Sequence, residues 1–344
     1  MKTRIKKNLI LSDCEAEEIQ TFADGFSVHS MNTVIMSSIA NWGYNNVGKN
    51  IYRYLKYFIF PLKVLVVRKR YGIIIGWQQF YSIALAFWCK LFMVKKSNII
   101  VVGNFTYKNK KGFIGGVYRS FMKYSTNNKY IDYFHVPSYS YAEICCVELG
   151  IPKEKFIITC FGIPDTSKKW ENVTVPINDY VLSIGRSNRD FDFLVKLWTE
   201  NTFSNDQLVL ISDVYKPTMM LPTNITLINN IVGDAAVPWI KNCKMMIIPI
   251  DNGTICSGDT VLLSGMMFGK TVAVTCPSTL AEMYISHNVD GIHIMKNVTT
   301  ASLVIRKLLD DDKHLNMLGI AARKKYLDSF SRFTMGKQLS FQIK

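Results

Sequence analysis

Short runs of β-branched and aliphatic residues alternate along the chain with longer stretches whose apolar positions recur at helical spacing, the pattern of parallel sheets with crossover helices. In the first half the short runs fall at residues 8–12, 33–37, 73–76, 99–103 and 156–161. In the second they fall at 180–185, 208–212, 225–228, 245–249, 270–275 and 291–294. Between the halves lies GIPDTSKKWENVTVPIND (162–179), polar, with two prolines and no helical period, which predicts a connection between two units. A chain of 344 residues exceeds one ordinary core, so the expectation is an α/β protein of two doubly wound parallel-sheet domains facing across a cleft, 1–170 and 171–325.

Two stretches test this reading. The run YGIIIGWQQFYSIALAFWCKLFMV (71–94) is long enough to cross a bilayer, but Gln78 and Gln79 inside it would be costly in hydrocarbon. The break at Gly76 suits a strand, a loop and then a buried helix. Before it, IYRYLKYFIFPLKVLVVRKR (51–70) mixes Tyr, Phe and Leu with six Lys and Arg. That composition fits a helix lying on anionic lipid, and equally an amphipathic helix packed on the sheet, with Pro61 expected to kink or end it.

Charge sharpens the picture. Residues 1–175 hold 24 Lys or Arg against 11 Asp or Glu, and the rest of the chain 17 against 15. From residue 25 to 131 there is no carboxylate at all, while sixteen Lys and Arg occur between Lys49 and Lys129. Such a stretch seeks a polyanion: anionic lipid head groups, a diphosphate-linked lipid, or nucleic acid. No nucleic-acid recognition motif accompanies it, so no nucleic-acid partner is expected, and an anionic membrane surface is. The eight cysteines form no C-x-x-C pair and the basic N-terminus turns acidic after a very short apolar run, so the expected location is the cytoplasm, peripheral to the inner face of the cell membrane. No metal site is predicted.

In parallel sheets ligands bind where strands end, which directs attention to four loops. After the run at 180–185, Gly185 lets a backbone approach a ligand, and Arg186, Ser187 and Arg189 can take phosphate oxygens; surface arginines on a loop would look the same. In PIDNGTICSGDTVLLSGMMFGKTVAVT (249–275) a strand leads into Ser257, Gly258, Asp259 and Thr260 at the start of a helix, where free amides and the helix dipole favour an anion. Asp259 fits a simple N-cap there as well, and Gly269 a C-cap. Trp77, Gln78 and Gln79 follow the third strand and suit sugar stacking and hydroxyl pairing, with core packing the alternative for Trp77. Tyr107 and Lys108, in a Gly- and Lys-rich loop, suit a phosphate-linked acceptor or plain solvent.

The stretch SGDTVLLSGMMFGKTVAVT resembles the donor-binding strand, loop and helix of retaining GT-B glycosyltransferases of the family 4, group 1 type, written E-G-x-G-x-x-x-x-E-A-M-A-x-G-K-P-V; Met266, Gly269, Lys270 and Val272 match its end. IGRSNRDFDFL is similar to the first strand and loop of the same domain, with Gly185 and Arg186 at the positions that meet the donor diphosphate. DGIHI (290–294) resembles the family's N-G-x-L-V strand, and the segment 326–344 suits its terminal helix returning to the first domain. The motif's two glutamates stand as Cys256 and Ser264, so the ribose contact falls to the Ser264 hydroxyl and the sugar contact to Asp259. The resemblance implies a metal-independent hexosyltransferase with no cofactor beyond its co-substrate. It implies a nucleotide sugar, commonly a UDP-sugar, and a lipid-linked saccharide acceptor in bacterial capsule, exopolysaccharide or lipopolysaccharide synthesis.

A catalytic base on the acceptor side must come from Asp13, Glu17, Asp24, Asp132, His29 or His135, the only candidates the charge map leaves. His135, ending the short run 133–136, and Asp24 are the expected pair. Retaining members of the resembled family let the donor phosphate take the acceptor proton, which would remove the need. Loss of the glutamate pair keeps a second reading open, a catalytically silent homologue that binds the membrane or a partner transferase.

Overall fold

The computed structural model describes residues 6–39, 47–107, 109–199, 203–255 and 257–343. The chain folds as two compact units, Met1–Pro164 with Arg332–Lys344, and Asp165–Ser331. Residues 165–179 of the polar connection therefore belong to the second unit, where the Lys241 ammonium donates to the Glu171 and Val173 carbonyls.

The first unit carries six parallel strands: β1 (Lys7–Ser12), β2 (Thr33–Ser37), β3 (Tyr71–Gly76), β4 (Ile99–Val102), β5 (Tyr133–Val136) and β6 (Phe156–Ile158), in the order β2-β1-β3-β4-β5-β6. Strand residues alternate between two cores, as the period of two requires. Leu9, Leu11, Ile74, Ile100 and Val102 join a cluster with α2 (Val47–Val67), α3 (Gln79–Leu91), α4 (Gly112–Thr126) and α5 (Tyr139–Leu149). Ile10, Ile75 and Val101 face the other way, toward α1 (Ala16–Phe26) and α12 (Arg332–Gln342). At that second face two helices come backbone to backbone: a Cβ on Gly336 would sit 2.2 Å from the Phe22 carbonyl oxygen.

One sequence expectation holds here, and two need correction or completion. The run 71–94 is the strand β3 followed by the helix α3, and among the described residues no helix is long and apolar enough to cross a membrane. Pro61 does not end its helix: α2 runs through it, and Pro61 is buried. The cost of one missing N–H donor is offset by the packing of Tyr57 and Val64 on the core. The short run 133–136 is a full member of the sheet, pairing Phe134 with Phe156 and Val136 with Ile158. Four residues interrupted by a histidine carry too little pattern to declare a strand.

The second unit holds β7 (Tyr180–Ile184), β8 (Gln207–Ile211), β9 (Ile225–Ile228), β10 (Met245–Ile248), β11 (Val272–Cys276) and β12 (Ile292–Met295), all parallel in the order β12-β11-β10-β7-β8-β9. The helices are α6 (Phe191–Trp198), α7 (Val237–Asn242), α8 (Asp259–Met267), α9 (Thr279–Tyr284), α10 (Val298–Leu309) and α11 (Asp312–Lys325). Gly269 follows α8 at φ +66°, with its N–H on the Met266 carbonyl, the left-handed stop expected there.

Candidate functional site

In the second unit the chain winds from β7 outward to β9 and then returns to the other side of β7 with β10. The carboxyl ends of β7 and β10 thus flank the switch point, where an open parallel sheet leaves a crevice. The loops leaving these two strands are clasped together. Arg189 bridges to Ile250 in antiparallel fashion, and the Asp190 N–H donates to the Pro249 carbonyl at 2.9 Å. Asn188, at φ +55°, accepts the Asn252 N–H at 2.7 Å and donates its amide to the Asn252 carbonyl at 3.0 Å. From the end of β12, Lys296 reaches Asp190 at 2.7 Å and Asp251 at 3.6 Å.

Arg189 lies at the centre of this clasp. Among the described residues its guanidinium donates only to backbone carbonyls, those of Ile184 (3.4 Å), Ser187 (3.2 Å) and Asn188 (3.2 Å), and no carboxylate comes within ion-pair distance of it. Burial pulls its pKa down to about 10, against the opposing field of Asp259. Two glycines make room for it: a Cβ on Gly185 would meet its Nε at 2.7 Å, and one on Gly258, which sits at φ +99°, would meet its Nη2 at 2.1 Å. Even a half-desolvated cation with no counter-charge in contact carries a cost, and an anion is what would relieve it.

Gly258 occupies the cap position of α8 and offers no side chain to it, so Asp259 opens the helix, and the alternative of Asp259 as a simple N-cap does not hold. Asp259 turns its own carboxylate onto this end, accepting the Thr260 N–H at 2.9 Å, and burial raises its pKa while that N–H and Arg189 pull the other way. The Ser257 hydroxyl is buried without a hydrogen-bond partner among the described residues. The structure therefore gathers Gly185, Arg189, Ser257, Gly258 and Asp259 around one anion-favouring spot. Arg186 is exposed and held by Asp213 at 2.7 Å, so it stands at the rim, as do exposed Ser187 and Thr260. Ser264 donates its hydroxyl back to the Thr260 carbonyl at 2.8 Å. Cys256 lies outside the described residues. Sequence reading missed Asn188, Asp213, Asp251 and Lys296. Only Asn188 carried a signal, an αL-tolerant residue between a strand end and a helix.

The first unit places its predicted residues differently. His135 is buried inside β5: Nδ1 accepts the Asn104 N–H at 3.2 Å, which puts the ring proton on Nε2, 2.7 Å from the Thr159 hydroxyl oxygen and 3.1 Å from its carbonyl. Burial lowers its pKa to about 4. The ring ties together the segments after β4 and β6, and its nitrogens are already engaged. Asp24 is exposed in the last turn of α1, which runs back toward the amino ends of the strands, and accepts the Gln20 amide. Neither geometry suits the base expected at those positions.

Trp77 packs edge-on against Phe22, ring centres 5.0 Å apart, beneath the Arg332 guanidinium. Gln79 bridges to Thr106, its amide oxygen accepting the Thr106 N–H at 2.8 Å. Tyr107 is buried, its ring stacked on Tyr118, and its N–H donates to the Tyr141 hydroxyl. Lys108 lies outside the described residues. Gln78 belongs to a different arrangement: its amide donates to Asp13 at 2.8 Å and to the Tyr57 hydroxyl at 3.1 Å, and Arg53 pairs with the same carboxylate at 3.5 Å. Asp13 follows β1 and Gln78 follows β3, the two strands flanking the switch point of this sheet. Of the six candidate acids and imidazoles, Asp13 is the one found there.

No protein-family model and no curated protein matches the sequence. Solved structures do match along nearly the whole chain. HepE of Anabaena in complex with UDP is similar at a TM-score of 0.63 and 12% identity, over 97% of this chain and 98% of that one. A glycosyltransferase of Rickettsia africae gives 0.64 at 12%, over 99% and 100%. WaaG, a glycosyltransferase involved in lipopolysaccharide biosynthesis, gives 0.57 at 12%, over 98% of each. At such identity the likeness shows the fold, and the fold is that of the GT-B glycosyltransferases.

Proposed function

We propose that the protein is a glycosyltransferase whose second unit binds a nucleoside-diphosphate sugar, with the diphosphate on Arg189. The observation that carries this reading is the half-buried guanidinium of Arg189, bonded among the described residues only to carbonyls and walled by two glycines at a switch point. A diphosphate there would receive forked hydrogen bonds from Arg189, the hydroxyl of Ser257 and the amides opening α8. The same cation would stabilise the charge that develops on the leaving diphosphate, so the reaction is proposed to need no metal. UDP is the proposed nucleotide, supported by the structural likeness to HepE, which was solved with UDP. A lipid-linked saccharide at the cytoplasmic membrane face, in bacterial surface polysaccharide synthesis, is the proposed acceptor; the basic first unit and the likeness to WaaG support it.

Calorimetry against UDP, GDP, CMP and their sugars tests the donor site. One diphosphate should bind, and Arg189→Ala should weaken it by about 10- to 100-fold, the loss of a charge-assisted bond of about 1.5–3 kcal/mol. Arg186→Ala, at the rim, should weaken it less. Binding of no nucleotide would defeat the proposal. One observation favours a silent homologue instead: Ser264, at the ribose-contacting position of the motif, turns its hydroxyl to its own helix. Nucleotide binding without transfer to any acceptor would favour that reading.

A further inference from the structure

The helices α2, α3 and α4 form one layer over the sheet of the first unit, joined by an aromatic seam. Phe58 of α2 lies 5.6 Å from Phe121 of α4, Phe87 of α3 lies 5.9 Å from Phe121, and Trp88 donates its indole N–H to the Phe58 carbonyl. The inward faces are accounted for by the core. The outward side of α4 and the end of α3 are not. Phe113 is 88% exposed, Ile114 79% and Met93 86%, with Phe92 and Val117 also bare. A groove along α4 runs from Phe113 past Val117 to Tyr124, and Lys90 of α3 lies over the Tyr124 ring at 3.5 Å, so the α3 end adjoins the groove. Met93 is held at φ +47°, unusual for a residue with a long side chain.

Charge accompanies this apolar ridge. Lys95, Lys110, Lys111 and Lys123 are exposed around it, and none has a carboxylate partner among the described residues. By contrast, the basic residues that make 51–70 look interfacial are partly turned inward. Arg53 is buried beside Asp13, and Arg68 donates to the Leu65 and Lys95 carbonyls. Bulky apolar tips ringed by lysines without acidic partners match a surface that is negative at its face and hydrocarbon beneath. Nucleic acid offers the charge but nothing for Ile114, Val117 and Met93 to enter.

We infer that the first unit docks on an anionic lipid bilayer through the ridge formed by α4 and the end of α3, with Phe113, Ile114 and Met93 entering the head-group layer. This deepens the proposed function by naming the surface that brings the first unit to a membrane-borne acceptor. It rests on that reading only for its purpose, since the docking itself requires no transfer.

The test uses the full chain with vesicles of phosphatidylcholine alone or with added phosphatidylglycerol. Cosedimentation should occur with the anionic vesicles and weaken as salt rises. Each basic residue near an anionic surface strengthens partition about fivefold, so Lys110→Glu with Lys111→Glu should reduce it at least about tenfold. Phe113→Glu with Ile114→Glu should also reduce it at least about tenfold. Nucleotide affinity, measured without vesicles, should be unchanged in both variants, which reports folding and separates this inference from the donor site. Equal vesicle binding by the variants and the parent would overturn it. So would no vesicle binding, with the ridge variants instead abolishing self-association or oligonucleotide binding.

Discussion

Replacing His135 with Gln asks whether this imidazole is a structural strut or a base. Its pKa of about 4 in the folded unit compares with about 6.5 for an unperturbed histidine. Burial is the main cause, and a proton added at Nδ1 would also face the Asn104 N–H instead of accepting from it. Because the folded pKa is the lower one, the unfolded chain binds the extra proton between these values. Stability from this site is therefore present above about pH 6.5 and is lost as pH falls toward 4. The full difference is about 3 kcal/mol, of which about 2 kcal/mol is lost between pH 7 and pH 5. Gln can still donate toward Thr159 and accept from Asn104, at a cost of about 1–2 kcal/mol at pH 7 for poorer geometry. Thermal unfolding of the parent and His135→Gln at both pH values should show the variant less stable at pH 7 but less sensitive to acid. The gap between them should close or reverse by about 2 kcal/mol, some 4–8 °C for a unit of this size. An unchanged gap, or an imidazole titrating near 6.5 by NMR in the folded protein, would refute the argument.

Two other substitutions probe the first unit. Gly336→Ala puts a Cβ 2.2 Å from the Phe22 carbonyl oxygen, where only a shift of α12 from α1 can relieve it. It should destabilise the unit by about 1–3 kcal/mol, read by chemical denaturation. Asp13→Asn leaves Arg53, Tyr57 and Gln78 without their shared carboxylate and should cost about 1–3 kcal/mol in the same assay. It should depress the proposed sugar transfer while leaving nucleotide affinity by calorimetry unaltered. An equal loss in both would contradict the assignment of Asp13 to a separate place on the first sheet.

The strands of both sheets were legible because a parallel strand buried on both faces must be a continuous apolar run, as in Leu208 to Ile211 or Met245 to Ile248. β5 escaped because its four residues include a histidine, whose suitability for a core depends on Asn104 and Thr159, partners distant in sequence. The glycines and basic residues after β7 marked a loop able to meet an anion, yet the local pattern ranks Arg186 with Arg189. Folding separates them: one is exposed and paired with Asp213, the other half-buried between Gly185 and Gly258. Sequence by itself determined the layers, the two-unit architecture and the one-sided charge, since these depend on local period and composition. Which charged group is drawn partly out of water, which histidine is already bonded and which apolar tips stay bare were decided only by tertiary structure. Desolvation and hydrogen-bond satisfaction depend on neighbours that the chain brings together across tens of residues, and no local pattern records them.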